Sequence, residues 1–182
     1  MRKLSIILLT ATLLIWLARM ETAFSDSDTA SHSVTMTVNE IALIGLNSTA
    51  TITLEMGTST STGEAPQDVT DNGKLLQYTS LVPDGATRSI VAAWGAATDA
   101  APAGTSLKLQ STSVPANCGT AASQITVSAT AQSIITNIGS CATGVGVNGA
   151  EITYTLSVDD FTQLAASESK TVTITYTLTD AS

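Results

Sequence analysis

Ile152-Thr153-Tyr154-Thr155-Leu156-Ser157-Val158 and Val172-Thr173-Ile174-Thr175-Tyr176-Thr177-Leu178 are the two stretches that decide how this chain folds. In both, a large apolar side chain alternates with a hydroxyl. A period of two places every apolar group on one face of an extended strand, whereas a helix would scatter them around its circumference. The β-branched content of both stretches favours a pleated surface with one dry and one wet face. Working outward, the same rhythm recurs at Val34/Met36/Val38, Ile52/Leu54/Met56, Ile90/Ala92/Trp94, Leu107/Leu109 and Ile125/Val127/Ala129, and more weakly over Ile41–Leu46, Leu75–Leu81 and Ile134–Ile138. No stretch of twelve residues in the mature chain carries a helical period. The pattern predicts an all-β chain: an antiparallel Ig-like β-sandwich of nine or ten short strands over residues 34–182.

Turn chemistry supports the same reading. Met56–Gly73 is a polar connection ending in Asn72-Gly73, a tight-turn dipeptide. In Pro83-Asp84-Gly85, proline presets φ and glycine admits a positive one. A glycine-rich loop covers Gly139–Gly149. Asp159-Asp160 precedes Phe161 and Leu164 at helical spacing, which predicts an N-cap and one short helical turn between the last two strands.

Arg2 and Lys3 followed by the apolar run Leu4–Ala18 have the layout of a secretory signal peptide covering residues 1–25, cleaved before Asp26. A short leader, residues 26–33, would follow. The full chain of 182 residues has a formal charge of −8. Beyond residue 25 the only cations are Lys74, Arg88, Lys108 and Lys170, against fourteen acidic residues, which gives 4 − 14 = −10. Such a balance argues against nucleic acid as a partner, because phosphate binding needs clustered cations. No second apolar span follows, so the mature chain is expected to be exported without a membrane span. Its 28 threonines and 19 serines give the strands their wet face. Cys118 and Cys141 are the only cysteines; in an oxidising compartment such a pair reads as a disulfide.

Candidate chemistry is sparse. His32 is the sole histidine and lies in the leader, where it makes a poor catalytic base. No Gly-x-Ser-x-Gly elbow or phosphate-binding glycine loop occurs. An enzyme is therefore not expected, nor is a cofactor. Asp68 and Asp71 are weak calcium candidates, since the loop lacks regular Asp-x-Asp-x-Asp-Gly spacing and a solvated turn explains them better. Trp94, at a strand end, reads as core, with a ligand contact as the alternative. Tyr154 and Tyr176 read as packing partners on adjacent strands.

The opening Ala23–Val38 (AFSDSDTASHSVTMTV) is similar to that of the camelysin/TasA group, fibre-forming matrix proteins whose N-terminal segment completes a neighbour's sheet. The ending Thr171–Ser182 (TVTITYTLTDAS) resembles the last strand of WxL-type surface domains, with Tyr176 where their tryptophan stands. These resemblances imply a secreted, non-enzymatic structural subunit of an extracellular fibre, pilus or matrix, whose partner is itself or another cell-surface protein. Physically, Ser33–Val38 carries no charge or proline and could add to the edge of another subunit, with Val34, Met36 and Val38 inserted. The alternative is a monomeric cell-surface adhesion module that recognises glycan or protein through Trp94.

Overall fold

The computed structural model describes residues 28–57 and 59–181; the signal segment 1–25 and its cleavage point lie outside them. Contacts divide the chain into Met1–Thr37 and Val38–Ser182. All strands among the described residues belong to the second unit. They are β1 (Ile41–Leu46), β2 (Val69–Leu81), β3 (Arg88–Trp94), β4 (Thr105–Ser113), β5 (Thr120–Ala121), β6 (Ile125–Thr126), β7 (Gln132–Ile138), β8 (Cys141–Ala142), β9 (Ala150–Val158) and β10 (Ile174–Asp180). A single 3-10 turn, Phe161–Gln163, separates the last two. None of the helices described is long and apolar enough to cross a membrane.

Every pairing is antiparallel, in two sheets. The larger runs β1-β2-β9-β4-β6, with β8 also on β2; the smaller runs β10-β3-β7-β5. Alternation dictates what lies between them. Leu76 and Tyr78 of β2, Leu107 and Leu109 of β4, and Ile152 and Tyr154 of β9 share one core with Ile90 and Ala92 of β3 and Ile134, Ile135 and Ile138 of β7. Each fully buried aliphatic side chain contributes about 1.5–3 kcal/mol. The stretch Ile152–Val158 thus becomes the middle of the larger sheet, with ladders on both sides.

Three strand expectations need correction. Val34–Val38 carries no strand, and neither does Ile52–Met56, although the burial of the latter still alternates. Of Ile125/Val127/Ala129 only Ile125–Thr126 is regular strand, although Val127 N still donates to Leu107 O of β4 at 2.9 Å. Conversely, Asp68–Asn72 is not a loop. β2 starts at Val69, and Asn72-Gly73 sits in a register shift between Asp71 and Lys74 rather than in a tight turn ending a loop. An Asn-Gly pair relaxes the backbone equally well for a bulge, so the dipeptide alone could not choose. β7 breaks the period of two: Ile134, Ile135 and Ile138 are all buried. Shifts in its pairing with β3 and a positive φ of 55° at Asn137 re-aim the side chains. The expected N-cap forms, with Thr162 N donating to Asp160 Oδ1 at 2.9 Å. The Thr162 hydroxyl, that amide and Gln163 Nε2 all donate to the Asp160 carboxyl and hold it below its ordinary pKa.

Candidate assembly site

Among the described residues the chain up to Glu40 has no regular structure. Within it the three expected assembly residues expose their apolar side chains: Val34 is 66% exposed, Met36 87% and Val38 82%. Apolar groups alternating with hydroxyls, without charge and without a ladder, form a strand in composition that has no sheet.

The next residues are held firmly. Arg88, the first residue of β3, is 5% exposed. Its Nη2 donates to Glu40 Oε2 at 2.8 Å and its Nη1 to Ile41 O at 2.6 Å. Nη1 also reaches Leu81 O at 3.2 Å and Ser80 Oγ at 3.4 Å, while Nε donates to Asp180 Oδ1 at 3.1 Å. A buried guanidinium must fill its fork of donors. Here doing so joins the starts of β1 and β3 to the ends of β2 and β10. Sequence reasoning missed this residue. The signal was available, because Arg88 precedes Ile90/Ala92/Trp94 in phase and therefore points inward.

Beyond β1 the chain stays tied to β2. Asn47 N donates to Leu75 O, and Leu75 N to Asn47 Oδ1, both at 2.9 Å. The buried Lys74 ammonium donates to Ser48 O at 3.2 Å and to Ala50 O. Then comes Thr51–Gly57. Ile52, Leu54 and Met56 are half-buried, while Thr51, Thr53, Glu55 and Gly57 are exposed. Ile52 and Leu54 pack on the core. Yet among the described residues the backbone of this segment has no hydrogen-bond partner. One face is docked while the ladder edges stay open.

The opposite condition holds around the disulfide. Cys118 and Cys141 are bonded, with Cα atoms 5.4 Å apart. Tyr78 of β2 braces both ends of the loop they close. Its phenol donates to Cys118 O at 2.7 Å, and its backbone exchanges hydrogen bonds with Thr143. Burial pushes the Tyr78 pKa up to about 12. Gly119, at φ 116°, lies so close to Ile135, Thr136 O and Ile138 that a Cβ would sit within 2.9 Å of each.

Tyr154 and Tyr176 are not on adjacent strands. They belong to β9 and β10, in different sheets, and their hydroxyls meet at 2.7 Å. A single sequence cannot say which sheet a strand joins, so matching motifs were misread as neighbours. Burial raises both pKa values. The nearby Asp71 charge adds to the rise at Tyr154, and Tyr154 itself adds to that at Tyr176.

Asp68 accepts from Ser157 Oγ at 2.8 Å and Val158 N at 3.3 Å, and Asp71 accepts from Gly73 N at 2.9 Å. Both carboxylates thus brace the β2 start and its bulge. Among the described residues, no three His, Cys, Asp or Glu side chains are grouped to hold a metal ion. Trp94 packs part-buried against the core, opposite Ile174. His32 is exposed, in the segment before Val34.

These features define a disulfide-bonded, antiparallel two-sheet β protein with an exposed apolar segment before its first strand. Comparison with protein-family models, curated proteins and solved structures finds no match to this chain.

Proposed function

We propose that this protein is a non-enzymatic, exported structural subunit that builds an extracellular fibre by β-strand complementation, with Ser33–Val38 as the donated strand. One observation carries the reading. Val34, Met36 and Val38 have the alternation of an inward-facing strand, yet they are exposed and unladdered. Leaving three such side chains in water forfeits burial worth about 1.5–3 kcal/mol each. A neighbour's edge would recover that energy and bind the open backbone groups as well. The resemblance of Ala23–Val38 to the camelysin/TasA opening adds support, as does a surface whose negative charge favours solubility before assembly.

Negative-stain electron microscopy of the chain beginning at Asp26 tests the proposal. Filaments are expected, and deleting Asp26–Val38 should abolish them. Dispersed particles from the intact chain, or filaments from the deleted one, would overturn it.

A further inference from the structure

The open segment Thr51–Gly57 is the counterpart of the exposed one. We infer that it is the acceptor edge, and that its occupant is Ser33–Val38 of a second copy. This inference rests on the strand-complementation reading and names the place where the donated strand lands.

Backbone amides and carbonyls are obligatory hydrogen-bonding groups, so an extended segment docked on a core is normally laddered. Thr51–Gly57 has the docking without the ladder. Ile52, Leu54 and Met56 turn toward the protein, while no described backbone group pairs with the segment. Lys74 fixes its root by holding the carbonyls of Ser48 and Ala50. The segment is thereby presented as an edge and is not left as a loose loop.

The donor fits in period and length. Val34, Met36 and Val38 repeat at the spacing of Ile52, Leu54 and Met56. Six residues, roughly 20 Å when extended, cover most of the acceptor's seven, roughly 23 Å. Glu55 is the acceptor's only charged residue and is exposed, and the donor carries no charge to oppose it.

The state of the chain's own segment selects a second copy as the donor. Its Val34, Met36 and Val38 stay open to solvent, and among the described residues their backbone joins no ladder.

Hydrogen exchange with mass spectrometry, comparing freshly isolated mature chain with assembled filaments, tests this directly. Thr51–Gly57 should exchange quickly before assembly and at least about tenfold more slowly in filaments. Protection appearing on Ile41–Leu46 instead would overturn the acceptor assignment while leaving strand complementation standing. Protection of Thr51–Gly57 already present in the unassembled chain would also overturn it, by showing that the edge is filled in cis. If the intact chain forms no filaments, the functional reading fails and this inference falls with it. Thr53→Pro removes an amide that has no partner among the described residues and obstructs a ladder. It should leave the melting temperature of the unassembled chain close to the parent's and cut filament yield at least about tenfold. Parent-like filaments from a folded Thr53→Pro chain would count against the acceptor. Should that variant fail to fold, the exchange map decides alone.

Discussion

Ile152–Val158 and Ile52–Met56 are near-identical in rhythm and opposite in circumstance. The first lies in β9, with β2 on one side and β4 on the other. The second docks the same kind of apolar face yet has no ladder among the described residues. Alternation therefore reports which face is dry. It says nothing about whether a neighbouring strand exists to take the backbone hydrogen bonds. In the first region the neighbours come from the same chain; in the second, on the proposal above, from another copy.

Paired truncations break the comparison most sharply. Ile152→Ala should cost about 4 kcal/mol in denaturant unfolding of the unassembled chain, since Ile152 is fully buried and the cavity is enclosed. Ile52→Ala, at a half-buried and unladdered site, should cost about 1 kcal/mol. Equal losses would mean that the two regions are equally integral to the folded subunit.

Next in size, Cys118→Ser with Cys141→Ser should lower unfolding free energy by about 3 kcal/mol in the chain-entropy account. The two substitutions together should leave filament formation intact, because the staple lies at the closed region. Lost filaments with a folded chain would tie the disulfide to assembly.

The tyrosines sharpen the same contrast through pH. Tyr78, Tyr154 and Tyr176 all have folded pKa values raised above 10. The fold therefore favours their protonated, neutral forms. That contribution is fully present below pH 10 and is lost as pH rises through 10 toward 12. Melting temperature should be insensitive to these groups up to about pH 9 and fall steeply above pH 10. Tyrosinate absorbance should appear together with unfolding; smooth ionisation near pH 10 in a folded chain would contradict the burial described.

The smallest effect concerns Ser111, whose buried hydroxyl has no partner among the described residues. Ser111→Ala should stabilise the subunit by about 1 kcal/mol in the same unfolding assay. A loss of similar size would show that the hydroxyl is satisfied in solution.

Much of this was legible beforehand, and the limits are physical. The antiparallel class, the disulfide and the Asp160 cap follow from period, redox logic and local hydrogen bonding. All are properties of a few residues or of one pair. The strand at Val34–Val38, the tight turn at Asn72-Gly73 and the adjacency of Tyr154 and Tyr176 were misread for a shared reason. Each depends on which segment lies alongside, and side-chain pattern is blind to backbone partners. Arg88 was overlooked because its importance comes from Glu40, Ile41, Ser80, Leu81 and Asp180, as many as 92 positions away.

By itself, the amino-acid sequence determined that this chain is built of pleated strands with one oily and one hydroxylated face, because a period of two has no other economical burial. Only the tertiary structure decided which strands became neighbours, which tyrosines met across the interior, and which stretch kept a docked face with open edges. Those outcomes depend on long-range backbone pairing, whose hydrogen-bonding groups are chemically alike at nearly every residue and so leave no mark in the sequence.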